Sequence, residues 1–237
     1  MMENLYINGE LVTELVVPNS VTIIGGSAFS GCSGLTSITL PFIGGTRADR
    51  NNYYLGYIFG APKYQDNETK VPANLKTVVV TDDQIANYAF YNCKTIEKIV
   101  LPSSLKTIGE SVFFECNKLK DLEIPSSVTT IKKRAFMWCG ALAKIEIPSS
   151  VSTIEMEAFW GSGLTEVNLP EGITKIASYT FCNCSKLVKV TMPDSVTEID
   201  SWVFNDCRNL REVNFSKNLV RIGGYAFENC WSLESVV

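Results

Sequence analysis

Histidine is absent from this chain of 237 residues. Ser-His-Asp and Cys-His catalytic arrangements, imidazole acid-base chemistry and histidine-ligated metals are therefore excluded. Paired carboxylates would still allow acid-base chemistry, but the acidic residues are scattered, and no glycine-rich phosphate-binding loop accompanies them. The sequence predicts that the chain is not an enzyme and that it holds no cofactor or metal.

Runs of basic residues and long apolar runs are also missing. The 21 Lys and Arg residues face 25 Asp and Glu residues, a formal net charge of −4, and they form no basic stripe. This composition argues against a nucleic-acid partner. No apolar run approaches the roughly 20 residues that a membrane-spanning helix needs. The first residues also lack the basic and apolar regions of a secretory signal, so this chain itself shows neither a signal nor an anchor.

Phenylalanine, in contrast, recurs at a nearly constant interval. From Phe90 to Phe227 it returns every 22 or 23 residues, and Phe29 lies on the same pattern. A fixed period of this length is typical of a solenoid, in which each coil buries its apolar face only against its neighbours. We therefore expect one repeat domain over residues 1–237, with eight in-register phenylalanines stacked in a continuous internal spine.

Aligning the coils on phenylalanine gives the repeat L-x-x-I-x-L-P-x-x-V-x-x-I-x-x-x-x-F-x-x-C. Its opening alternates apolar and polar residues and ends at proline, which predicts a short strand. About ten such strands, 23 residues apart, would lie parallel in one ladder. The V-x-x-I segment predicts a second, shorter strand, and the residues around each phenylalanine predict one helical or 3-10 turn.

The copy over residues 142–159, L-A-K-I-E-I-P-S-S-V-S-T-I-E-M-E-A-F, resembles the BspA-type leucine-rich repeats of many bacterial surface proteins. The resemblance covers the chain except residues 1–10 and roughly 41–74. It implies a right-handed, strand-dominated leucine-rich-repeat superhelix that serves adhesion or protein recognition.

Seven of the eight cysteines follow the repeat phenylalanine by three residues, from Cys32 to Cys230. A column strung along the solenoid cannot converge on one metal ion, and side chains that point the same way suit a disulfide poorly. These cysteines are expected to be buried thiols. Cys182 lies outside the column and is expected to be the exposed, reactive one.

Outward residues of the strands would form the face on which repeat proteins usually bind. In the third position of six consecutive strands the charge alternates, so the column would first compensate itself. Its members are candidate partner-binding residues: Lys98, Asp121, Lys144, Glu166, Lys189 and Glu212.

The period breaks once, between Phe29 and Phe90, where an insertion over residues 41–74 is rich in aromatic residues. Long non-repeat segments tend to be functional or disordered, and aromatic content argues against disorder. Either these rings pack the insertion onto the solenoid, or they contact a partner. Gly-Tyr-Ile-Phe-Gly insertions also recur in proteins of the resembled family, which would make this one a standard subdomain. The candidate contact residues are Arg47, Tyr53, Tyr54, Tyr57 and Tyr64.

The remaining segments complete the predicted organisation of the domain. Asn8-Gly9 between apolar residues predicts a hairpin-like cap over residues 1–11. Residues 12–40 hold the first repeats, and residues 75–237 hold the regular ones. The last repeat is incomplete and lacks a polar cap, so end-to-end self-association through it is a further expectation.

The sequence favours a non-enzymatic protein-recognition or adhesion module, located extracellularly or on a bacterial cell surface, with a host or bacterial surface protein as partner. Two alternatives stay open. One is an intracellular, cytoplasmic structural scaffold, which free thiols would suit. The other is glycan binding through exposed tyrosines of the insertion.

Overall fold

The computed structural model describes residues 4–47, 53–81 and 84–236. Within them the chain forms sixteen short strands, two 3-10 helices over Leu55–Phe59 and Tyr64–Asp66, and one helical turn, α1 (Asn67–Lys70). The strands are β1 (Tyr6–Ile7), β2 (Glu10–Leu11), β3 (Glu14–Val16), β4 (Ser37–Leu40), β5 (Thr77–Val80), β6 (Lys98–Val100), β7 (Thr107–Ile108), β8 (Thr130–Ile131), β9 (Thr153–Ile154), β10 (Glu166–Asn168), β11 (Lys175–Ile176), β12 (Lys189–Thr191), β13 (Glu198–Ile199), β14 (Glu212–Asn214), β15 (Arg221–Ile222) and β16 (Ser235–Val236).

The coils stack as a leucine-rich-repeat solenoid with two columns of parallel strands. The first column runs β3-β4-β5-β6 and, after an interruption, β10-β12-β14-β16. The second column, built from the V-x-x-I segments, runs β7-β8-β9 and then β11-β13-β15. The expected second strand is thus confirmed, as is the hairpin, in which β1 and β2 pair antiparallel through Asn8 and Gly9 at positive φ.

The expectation of ten strands in the first column is met at eight of the ten segments. The coil beginning at Leu119 keeps only a parallel bridge between Lys98 and Asp121, and the coil beginning at Leu142 has no strand. Ala143, Lys144, Ile145 and Glu146 donate no backbone hydrogen bond to any described residue. The second column opens one coil later, between β9 and β11. Both breaks involve the coil from Leu142 to Leu164, which is one residue shorter than the regular coils.

The phenylalanine spine is confirmed over the regular coils. Six rings are completely buried, and consecutive rings from Phe90 to Phe227 lie 5.0 to 5.7 Å apart between centroids. The expectation that Phe29 belongs to the same continuous stack was wrong. Phe29 instead contacts Phe59 of the insertion at 6.3 Å, and its amide donates to the Ile58 carbonyl at 2.8 Å. The insertion therefore places its own phenylalanine against Phe29.

The turns around the phenylalanines are not helical in the regular coils. They are hydrogen-bonded turns, and the residues two before and two after each phenylalanine have positive φ, for example Tyr179 at 61° and Asn183 at 58°. Such angles are uncommon outside glycine, so each pair bends the chain sharply on both sides of the buried ring.

The insertion is one enlarged coil. Strands β4 and β5 pair in register across it, with Ser37 opposite Thr77, so the first column continues without interruption. The buried Asn67 side chain ties the loop down: its Oδ1 accepts the Gly56 amide and its Nδ2 donates to the Tyr91 carbonyl, each at 2.7 Å. Lys94 adds ion pairs to Glu68 and Glu115 at 3.0 and 3.1 Å.

Candidate functional site

The strand face carries the charge column that the sequence indicates, and parts of it are paired. Lys98 Nζ lies 2.6 Å from Asp121 Oδ2, and Lys189 Nζ lies 2.8 Å from Glu212 Oε1. Glu166 stands in register with Lys189. The hydrogen bond from Lys189 lowers the pKa of Glu212, and the same contact raises the pKa of Lys189. This part of the face is therefore largely self-compensated.

Lys144 is the exception in that column. It is exposed, and it has no ion pair with a described residue because its coil has left the strand register. The structure thus does not bring all six residues of the column together. Lys144 divides the column of alternating charge into two parts. One part is the pair Lys98 and Asp121, and the other is the group Glu166, Lys189 and Glu212.

The candidate residues of the insertion differ in how exposed they are and in what they contact. Tyr54 is only 6% exposed, and its hydroxyl donates to the Ala61 carbonyl at 3.0 Å. Tyr57 packs against Gly26 and Gly45, which leave room for its ring. Tyr53 is half-buried and donates to the Arg47 carbonyl at 3.2 Å. Burial raises the pKa of Tyr54, an effect that Tyr57 reinforces.

Tyr64 joins a cluster that the sequence did not single out. Its ring stacks on Tyr88 at 4.6 Å and meets Tyr91 edge-on at 5.1 Å, and Tyr91 stacks on Phe114 at 4.5 Å. Burial, followed by a hydrogen bond to Glu110, raises the pKa of Tyr88. The main role of Tyr64 is to anchor the insertion on the coils that follow it.

A cleft of about 1170 Å³ separates the insertion from the coils after it. Its apolar lining consists largely of buried side chains, and lysines and tyrosines surround them. The described lining includes Phe42, Ile43, Tyr53, Tyr54, Lys63, Tyr64, Ile85, Tyr88, Leu105, Lys106, Thr107 and Lys132.

The charged side chains among the described residues of this cleft are lysines and one arginine. Lys63, Lys106 and Lys132 line it, and none of them has an ion pair with a described residue. Arg47 also lines it, donating to the Asn19 carbonyl at 3.1 Å and lying 5.8 Å from the Phe42 ring centroid. Among the described lining residues no carboxylate is present.

Sequence reasoning identified Arg47, Tyr53, Tyr54 and Tyr64 of this cleft but missed its lysines and Tyr88. One signal was available in the repeat itself. In the coil that ends at Phe90, the position of the repeat valine is held by Asp82, which lies outside the described residues. A coil without its apolar anchor at that position is where the second strand column is expected to lose its regular packing.

The cysteine column is a packing column, as expected. Each thiol of Cys116, Cys139, Cys184, Cys207 and Cys230 donates to the phenylalanine carbonyl one coil earlier, always at 3.1 Å. All eight cysteines are free. Burial raises the pKa of Cys184 to about 12 and that of Cys230 to about 11.

The expectation that Cys182 is exposed was wrong. Its residue is only 3% exposed, and its Sγ lies 3.6 Å from Asn205 Oδ1. The position directly after the repeat phenylalanine is covered by the equivalent side chain of the next coil, here the buried Asn205. Burial raises the pKa of Cys182 to about 11, so its thiol is unreactive at neutral pH.

Among residues 4–47, 53–81 and 84–236, no cluster of three or more acidic or cysteine side chains could hold a metal ion. Over the same ranges, no helix has the length and apolar character needed to cross a membrane.

Comparisons with known proteins agree with this architecture. The family model described as "BspA type Leucine rich repeat region" matches six copies over residues 2–45, 83–173 and 129–237. These ranges omit most of the insertion. No curated protein matches the chain.

Solved structures show the same fold. The Leucine Rich Repeat protein TpLRR of T. pallidum is 34% identical, with a TM-score of 0.61, over 66% of this chain and 77% of that one. The Pneumococcal vaccine antigen PcpA is 18% identical, with a TM-score of 0.54, over 98% of this chain and 62% of that one. The second likeness concerns the fold alone.

Proposed function

Because this chain belongs to the BspA-type leucine-rich-repeat family, we propose that it is a non-enzymatic protein-recognition and adhesion module of a bacterial surface or secreted protein. The observation that carries the proposal is the cleft of about 1170 Å³ beside the insertion. It is a preformed concave surface on a rigid scaffold, and it exceeds the roughly 300–1,000 Å³ of small-molecule pockets.

The buried thiols support an oxidising location as much as a reducing one. Free cysteines outside the cell are vulnerable when they are exposed as thiolates. Here seven of the eight are buried, and burial raises the pKa of the thiols in the column's interior, such as Cys116 and Cys139. Free thiols therefore do not favour an intracellular scaffold over an extracellular module.

Glycan binding is less well supported than protein binding. A sugar ring needs an open aromatic face, whereas Tyr64 and Tyr88 stack on each other and Tyr54 is buried. The cleft offers lysine side chains and apolar floor residues, which suit a polypeptide with both kinds of side chain.

The test uses the full chain immobilised on a sensor surface and a panel of purified extracellular host proteins and bacterial surface proteins, applied one at a time. We expect saturable, reversible binding to at least one of them. In parallel, antibodies against the chain should label intact cells of the bacterium that produces it. A panel without any saturable binding, or labelling only after cell lysis, would overturn the proposal.

A further inference from the structure

The coil over residues 142–163, called the short coil below, is joined to its neighbours less completely than the regular coils. It is one residue shorter than they are, with Leu164 following Leu142 after 22 residues. The structure describes every residue from 84 to 236, so all partners of the short coil in the adjacent coils are described. Its missing bonds are therefore a property of the short coil itself.

Towards the preceding coil, the short coil is open along the first strand column. In a regular coil the amides of Arg211 and Glu212 donate to the Val188 carbonyl at 2.9 and 3.2 Å. At the same repeat positions of the short coil, the amides of Ala143 and Lys144 donate to no described residue. The second column stays bonded at this junction through β8 and β9. This junction therefore opens on one side only.

Towards the following coil, the opening lies on the other side. In a regular coil the amides of Thr197 and Asp200 donate to the preceding coil at 2.8 and 3.0 Å. Their counterparts Thr174 and Ala177, in the coil after the short one, donate to no described residue. The first column keeps one bond at this junction, in which the Thr165 amide donates to the short coil at 3.0 Å. The second junction is thus open along the second column.

Side chains do not close the first opening. In the preceding pair of coils, Lys98 Nζ lies 2.6 Å from Asp121 Oδ2. Lys144, the next member of that column, has no ion pair with a described residue. Glu123 and Glu146 hold the same repeat position on the two sides of the opening, and both are exposed. Like charges at such positions repel, so they favour separation of the two coils.

The turns, in contrast, hold both junctions together. The Phe136 amide donates to the Ala158 carbonyl at 2.7 Å, and the Phe159 amide donates to the following coil at 2.9 Å. Near these bonds Gly163 packs its backbone on the preceding coil, where a Cβ would lie 2.3 Å from the Gly140 carbonyl oxygen. Each junction is therefore closed at the turns and open along one strand column.

We propose that the short coil is a hinge, on which the coils before residue 142 and the coils after residue 163 rock as two stacks about the bonded turns. A hinge needs only a few residues that absorb the motion, while the packed elements on both sides keep their internal bonds. The rings of Phe136, Phe159 and Phe181 stay stacked through both junctions, 5.0 and 5.5 Å apart. The motion changes the angle between the cleft, which lies before the hinge, and the strand face that follows it. It is independent of what the cleft binds.

A variant with the regular period is the matched control for the hinge. It combines Ser162→Cys with one alanine inserted between Gly163 and Leu164. The corner of the short coil then has the Cys-Gly-Ala-Leu sequence of residues 139–142, and the 23-residue period is restored. Equal melting temperatures establish that the variant folds as the wild type does.

Distances between two spin labels test the motion. The labels are coupled to non-natural ketone side chains at the exposed positions Lys118 and Asn209, which share a repeat position on the two sides of the hinge. This attachment leaves the native thiols untouched. We expect the distance distribution from double electron–electron resonance to be about twofold broader in the wild type than in the variant with the regular period. Distributions of equal width would overturn the hinge.

Amide hydrogen exchange tests the hinge on the wild type alone. In a rigid solenoid the ends fray first and the central coils are the most protected. The hinge reverses this order. The Ser152 amide, bonded across the first junction at 3.0 Å, should have a protection factor about tenfold lower than that of Thr197, bonded at 2.8 Å in a later coil. Equal or higher protection at Ser152 would refute the hinge, whether or not the variant folds.

Discussion

At the scale of single residues, the repeat phenylalanine and the cysteine three positions later form one unit. The phenylalanine ring stacks between its neighbours, and its carbonyl accepts the thiol of the next coil's cysteine. Burial of the ring contributes the larger share of stability. The carbonyl also accepts the amide of its own coil's cysteine, as Phe113 does from Cys116 at 3.0 Å, so the thiol is its second donor. This pairing explains why cysteine recurs three residues after the repeat phenylalanine.

Replacing Phe136 with alanine is expected to lower the free energy of unfolding by about 3–5 kcal/mol, because a fully buried ring between two stacked neighbours leaves a cavity. Urea denaturation measures the loss. The control is Phe114→Ala, which removes a half-buried ring from the next position of an adjacent coil and should cost clearly less. A loss below about 1 kcal/mol for Phe136→Ala would contradict the spine.

Ionisation of the buried thiols is expected to lower the free energy of unfolding at alkaline pH. Burial raises the pKa of Cys139 well above its ordinary 9.0, so the folded chain retains a proton that the unfolded chain releases. This contribution is intact below pH 9 and declines above it by about 1.4 kcal/mol per pH unit for each such thiol. Between pH 9 and 10.5 the variant Cys139→Ala should therefore lose stability less steeply than the wild type. From pH 7 to 8 the two slopes should coincide, and coinciding slopes at high pH as well would contradict the assignment.

At the scale of elements, the coils stay joined because the two strand columns open at different places and the phenylalanine turns continue past both openings. Where the first column opens at the coil of Lys144, strands β8 and β9 and the turn bonds still join the coils. Where the second column opens after β9, the turns continue, with the amide of Phe159 donating to the Thr180 carbonyl at 2.9 Å. The turns are therefore the continuous element in this part of the solenoid.

Gly161 provides a test of these turns. It takes the second positive-φ position of the short coil, at 66°, and a Cβ there would overlap the Trp138 ring. Gly161→Ala should lower the free energy of unfolding by about 1–2 kcal/mol through backbone strain and displacement of that ring. Gly140→Ala is the control, because a Cβ at Gly140 meets no atom within 4 Å. Equal stability of the two variants in urea denaturation would show that the turn tolerates a side chain.

Much of this element structure follows from the sequence, because each repeat letter marks a position whose burial recurs. Phe90, Leu142 and Cys139 lie where the period places them. The breaks do not follow from the letters. The coil of Lys144 keeps the apolar letters of the repeat from Leu142 to Phe159, yet it leaves the strand register. It is the coil shortened by one residue, with Ser162 in place of the cysteine, and the loss of register is an effect of stacking that the repeat letters of one copy do not show. Cys182 was misplaced for the same reason, since Asn205, which covers it, belongs to the next coil.

At the scale of the whole molecule, the solenoid remains one stack because the insertion behaves as a coil. Phe59 contacts Phe29 of the coil before it, Asn67 bonds to the coil that follows, and β4 pairs directly with β5. A cleft lies between the enlarged coil and the coils that follow it. The sequence predicts the insertion and names several of its tyrosines as candidates. It did not reveal the cleft, because Lys106 and Lys132 belong to regular coils that look like any other copy.

Site-resolved amide hydrogen exchange, on the free chain and on the chain saturated with a bound partner protein, tests the central claim that the cleft beside the insertion receives the partner. Lys106 and Thr107 line the cleft, whereas Thr129 and Ser152 belong to later coils and their amides are bonded to the preceding coil. On binding, Lys106 and Thr107 should become protected. Unchanged exchange at Lys106 and Thr107 on saturation would contradict the account.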